Sequence, residues 1–165
     1  MSDDTPLAAL RAAVLERAFG TRPAGEPIDP FEPCTPVAAV RIAAAQLHDV
    51  LLTLDDLDWG VHAHPEIGSV RDVVRHLVGV ERLVRTWVTT DGAAVDPTEH
   101  LTAARAAAAD TVALDGPALA ELWFAEATAA LDACAAADPA RPMLAHDLPT
   151  DVDGLLVLRA FELWA

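Results

Sequence analysis

Lysine and tyrosine are both missing from these 165 residues, and cysteine occurs only twice, at Cys34 and Cys134. Every basic side chain is therefore an arginine, eleven in all against 26 acids, and the formal charge is −15. A field of that sign repels phosphate backbones and anionic lipid, so neither nucleic acid nor a membrane surface is an expected partner. The two cysteines lie far apart without metal-type spacing and read as reduced thiols of a cytoplasmic protein. Met1-Ser2-Asp3-Asp4-Thr5-Pro6 lacks the basic and apolar regions of a secretory signal, so export is not expected. No apolar run approaches the roughly 20 residues that span a bilayer. The strict alternation of half-buried strands is scarce too. Apolar positions recur instead at helical spacing, which predicts an all-α domain with a single core.

Thr5-Pro6 is a cap followed by proline at the first helical position, and Leu7, Leu10, Val14 and Phe19 then form a stripe closed by Gly20. Pro23, Pro27, Pro30, Pro33 and Pro36 forbid a continuous helix after it and predict an extended strap. Residues 1–34 thus read as an N-terminal helix and Pro-rich linker, and 35–165 as an up-and-down four-helix bundle. Thr35-Pro36 opens the first bundle helix, ending near Asp55-Asp56, and the segment from Trp59 to Gly68 reads as a loop. Ser69 with Asp72 resembles a capping box and opens a helix to about Thr89. Asp96-Pro97 begins an Ala-rich helix through about Val112, and Asp115-Gly116-Pro117 begins another, stopped by Asp138-Pro139. An irregular connection through His146 leads to a last helix capped by Thr150 and Asp153. Its residues Leu155, Leu156, Val157, Leu158, Phe161 and Leu163 surround it, which predicts central burial. That helix is still running at Ala165 without a terminating signal, and the natural chain is expected to continue.

At about 100° per residue, Arg71, Asp72, Arg75, Gly79, Arg82 and Thr86 fall together on one polar face. His76 falls instead beside Val80, Leu83 and Trp87, pointing to the bundle interior. It reads either as a core histidine bonded to a carbonyl or hydroxyl, or as a ligand. Glu162 is the carboxylate on the apolar last helix, and a buried carboxylate needs a cation or strong donors. Arg159, three residues earlier, can supply one. Alternatively His76 and Glu162 meet in the core as ligands of one divalent metal, a known use of bundle interiors. Imidazole and carboxylate suit Zn²⁺, and the further ligand such a site needs would sit one turn beyond Glu162, past the last residue. His62 and His64 could join a metal but read as loop residues in solvent, and His48 and His100 as surface residues; His146 reads as part of the connection before the last helix, with a substitute-ligand role as its lesser alternative. Asp55-Asp56-Leu57-Asp58 lacks the spacing of a calcium loop and reads as a solvated helix end. Neither cysteine has a neighbouring base, so a nucleophilic role is unsupported.

Ser69-Val70-Arg71-Asp72-Val73-Val74-Arg75-His76-Leu77-Val78-Gly79-Val80-Glu81 resembles the second-helix motif of the metal-binding domain of mycothiol-dependent maleylpyruvate isomerases, a branch of the DinB/YfiT-like bundles. Leu158-Arg159-Ala160-Phe161-Glu162-Leu163-Trp164-Ala165 is similar to that family's closing motif, in which Arg, Glu and Trp are followed by a His. The likeness covers Thr35 to Ala165. It implies metal-ligand roles for His76 and Glu162, commonly toward zinc, while the family's third ligand has no counterpart here. Two departures stand out. Ile67-Gly68-Ser69 replaces the usual Gly-Trp pair before the cap, and nothing matches the second domain that supplies the isomerases' catalytic arginine.

The expected function is a metal-binding bundle related to thiol-dependent isomerases and S-transferases. The metal would hold a low-molecular-weight thiol such as mycothiol as the thiolate, which adds to an electrophilic small molecule. The rival is a binding, regulatory or oligomerisation bundle, a homodimer among its forms, with structural metal or none.

Overall fold

The structure is a computed structural model and describes residues 33–90, 100–145 and 148–164. The expected N-terminal helix and nearly all of the strap fall outside those residues, as does His146.

Local side-chain hydrogen bonds set most element boundaries. Helix α1 (Pro36–Leu51) is capped by Thr35, whose hydroxyl accepts from the Ala38 amide at 3.2 Å. It ends before Asp55, earlier than its apolar spacing suggests. The Asp55 carboxylate accepts from the amides of Leu57 and Asp58 at 2.8 and 3.0 Å, and Asp58 returns the favour to the Asp55 amide. Aspartates that bond nearby amides compete with the helix, and here they close a 3-10 turn at Asp58–Gly60. The expected loop then contains a short hairpin, β1 (His62–His64) against β2 (Gly68–Ser69). Gly68 lies at φ 121°, and a Cβ there would also press on the Asp72 carboxylate. That carboxylate is in use: Ser69 and Asp72 make the predicted capping box at the start of α2 (Val70–Thr89).

The Ala-rich segment is helical as α3 (His100–Ala107) and then breaks into a 3-10 turn, Ala109–Thr111. The buried Thr111 hydroxyl donates to the Ala108 carbonyl at 2.7 Å and fixes the break. Helix α4 (Gly116–Ala136) follows, capped by Asp115. A second hairpin, β3 (Pro142–Ala145) with β4 (Leu148–Asp151), replaces the irregular connection. Helix α5 (Val152–Trp164) is capped by Asp151, which accepts from the Gly154 amide at 2.7 Å, rather than by Thr150.

Helix α1 packs on α4 and α5, and α2 packs on α4 and α3. The all-α bundle expected from the apolar spacing is therefore present, with two small hairpins added. One core cluster joins Val80, Val84, Leu131, Leu155 and Leu156, and the other joins Leu51, Trp59, Val78, Leu119 and Trp123. Two expectations about helix faces fail. Gly79 is not on a solvated polar face: a Cβ there would overlap the Ala104 carbonyl, so α3 crosses α2 in direct backbone contact. Nor is α5 buried all round. Val157, Leu158 and Phe161 are exposed, Phe161 at 66%, because α1 covers only one side of the helix. The open side, with Ile42 and Cys34, lines an apolar groove of about 460 Å³. No helix among the described residues is long and apolar enough to cross a membrane.

Candidate functional site

Helix α2 carries most of the chain's unusual chemistry, because its arginines are used against backbone. Arg71 donates to the Leu114 carbonyl at 3.0 Å, Arg75 to that of Val112 at 2.7 Å, and Arg82 to that of Ala107. The polar stripe read from the sequence is thus a row of donors that ties residues 107–114 to α2. Arg82 also bridges Asp110 and Glu126, and Arg85 shares Glu126. Arg141 closes the far end of α2 by donating to the carbonyls of Trp87, Val88 and Thr90, meeting the helix's last unpaired acceptors.

His76 is half-buried on α2 and lines a cavity with Ile67, Asp72, Arg75, Arg105 and Val112. Asp72 is held below the usual carboxylate range, first by the Ser69 hydroxyl, against the opposing effect of burial, and further by the Ser69 amide and Arg75. It is therefore ionised at neutral pH.

Glu162 is an exposed carboxylate rather than a buried one, and its Oε2 accepts from Arg159. The buried acid is Glu81, 4% exposed, paired with Arg159, also 4% exposed. Arg159 thus joins α2 to α5 through Glu81 and reaches Glu162 along its own helix. Burial works against its charge, but Glu81 and Glu162 more than offset this and raise its pKa. Sequence reading overlooked Glu81, although it shares a face of α2 with Leu77, Val78, Val84 and Val88, and that periodicity was the available signal.

His76 and Glu162 have different neighbours. The glutamate belongs to the Arg159–Glu81 group, and Glu81 lies about 140° around α2 from His76. As a cation site the pair fits in kind but not in number. Imidazole and carboxylate suit Zn²⁺, yet they are fewer than the protein ligands a catalytic zinc ordinarily has. Among the described residues no three His, Cys, Asp or Glu side chains are grouped to hold a metal.

The other candidates are placed plainly. His62 and His64 are exposed on β1, and the His64 Nδ1 accepts from the amides of Glu66 and Ile67. His48 is not a surface residue: its ring stacks on Phe124 with centroids 4.3 Å apart, and its Nε2 lies 3.6 Å from Glu121. Cys34 is exposed and Cys134 buried, both as free thiols. Burial, helped by Glu81 and opposed by Arg159, pushes the Cys134 thiol up to about 11. Since the thiolate is the reacting form, Cys134 should react about 100-fold more slowly than an ordinary thiol, before its inaccessibility is counted. Titration with a chromogenic disulfide should give one fast thiol in the native protein and two after denaturation; two fast native thiols would contradict the assignment.

Residues 40–165 match the family described as mycothiol maleylpyruvate isomerase N-terminal domain. No curated protein and no solved structure matches the chain.

Proposed function

The chain belongs to the mycothiol maleylpyruvate isomerase N-terminal domain family, and from that premise we propose that it is the metal- and thiol-handling domain of an isomerase or S-transferase. The observation carrying this reading is that the matched residues, 40–165, take in both motifs, His76 on α2 and Glu162 on α5. His76 and Glu162 are the proposed ligands of a divalent metal, with Zn²⁺ the ion their chemistry suits; a further ligand is not among the described residues. The chemistry such a metal supplies is a low-molecular-weight thiol, mycothiol, held as thiolate at neutral pH for addition to an electrophilic small molecule. The chain's own contribution is orientation. Glu81 fixes Arg159, and Arg159 fixes one oxygen of Glu162. The proposed setting is the cytoplasm, and the charge of −15 argues against nucleic acid and membrane partners.

One observation favours a second reading. The guanidinium already on Glu162 satisfies that carboxylate without a metal, as a metal-free binding or oligomerisation bundle would require. Calorimetric titration of the purified protein with Zn²⁺ separates the two. The first reading expects one equivalent bound, with His76→Ala and Glu162→Gln each weakening binding by more than about 100-fold. An absence of Zn²⁺ binding, with no thiol-dependent turnover, would leave only the second.

A further inference from the structure

The apolar groove between α1 and α5 plays no part in the metal reading. It encloses about 460 Å³, and the small side chains of Ala39, Ala43 and Ala160 line it. Two large side chains of the same lining project into solvent: Phe161, 66% exposed, and Ile42, 55% exposed. One face thus carries both a hollow and a knob.

Charge and area both bear on what covers that face. No charged residue lines the groove, in a chain of formal charge −15. Two copies of such a chain repel over most of their surfaces and least where the acids are missing. Helix α1 has 16 residues, about 24 Å of axis, and two helices side by side span about 20 Å. Each copy then offers about 500 Å², and a pair buries about 1,000 Å², the lower limit for a specific contact. A two-fold pair also requires one patch to complement itself, which a hollow beside a knob does.

We infer that a second copy of this chain docks here, as a two-fold dimer in which Phe161 of each copy fills the other's hollow over Ala39 and Ala43. The contact goes beyond the metal reading and does not rest on it, since none of these residues is a proposed ligand.

Sedimentation equilibrium of the 165-residue chain, kept metal-free with a chelator, should show a dimer with a Kd of about 10 µM. Raising NaCl from about 0.05 to about 0.5 M should tighten it, because salt screens the repulsion between like-charged copies. Phe161→Ala removes the knob and Ala39→Phe fills the hollow. Each should weaken self-association by about 30-fold or more and keep the parent's circular dichroism. Should Ala39→Phe not fold, Gln46→Trp fills the same groove. Mixed in equal amounts, the knobless and the filled variant should pair to within about tenfold of the parent, because the knob of one still meets the open hollow of the other. The inference is overturned if the parent is monomeric at about 200 µM, well above that Kd. It is overturned equally if either variant dimerises as tightly as the parent, if salt weakens the dimer, or if the mixture does not recover. Because the assay is metal-free, its failure is distinct from failure of the metal reading.

Discussion

Arg159→Met lowers the unfolding free energy by about 3–5 kcal/mol, because it leaves Glu81 in the core with no countercharge. Arg159 and Glu81 are each 4% exposed and bond to each other across the α2–α5 contact. Removing one partner of a buried pair costs far more than the pair contributes, since the remaining charge keeps its desolvation penalty. The double variant Arg159→Met/Glu81→Leu should therefore recover most of the loss, as apolar replacements of buried pairs are often neutral. Urea denaturation of the two singles and the double gives the comparison directly. If Arg159→Met changes stability by less than about 1 kcal/mol, the pair is not buried as described. A second readout comes from Cys134, whose thiol is held up by burial and Glu81 and held down by Arg159. Losing the guanidinium should move that thiol further up.

Trp123→Ala should be comparably severe, at about 3–5 kcal/mol. Trp123 is fully buried on α4, among Trp59, Val78, Leu119 and Ala127 from three sides of the core. Truncation leaves a cavity that the neighbouring elements cannot easily close, because α2 is already in backbone contact with α3 at Gly79 and Gly116 is already pressed against the Trp59 indole. Trp123→Phe should behave differently. The indole Nε1 is buried without a hydrogen-bond partner, so phenylalanine gives up volume but no bond and should cost about half of the alanine loss or less. Chemical denaturation monitored by circular dichroism checks both. Equal losses for the two variants would mean that a phenyl ring recovers none of the packing at this position.

The helices were legible because their signals are local. Thr35-Pro36, Ser69 with Asp72, and Asp115 with Pro117 mark three starts that the structure reproduces to the residue. The hairpins were not legible, since His62-Ala63-His64 and Pro142-Met143-Leu144-Ala145 are too short for a period to register. Faces misled wherever burial depends on a neighbour rather than on composition. Phe161 is apolar and exposed because no described helix covers it, and Gly79 sits on a polar stripe yet is buried because α3 lies across it. Glu162 drew attention as the acid on an apolar helix, but the acid enclosed by the fold is Glu81, hidden in a helix whose charges are otherwise outward or tied to backbone. The family itself was readable from two short motifs, and the match over residues 40–165 agrees with them.

The row of arginines on α2 has a mechanical consequence. Arg71, Arg75 and Arg82 each grip a carbonyl of residues 107–114, one helical turn or two apart. A small axial slip or rotation of α2 would misalign all of these grips together, because their donors turn as one body. Val112, gripped by Arg75 and part of the cavity wall beside His76, is therefore positioned by α2 itself, so the width of that cavity follows the rotation of one helix.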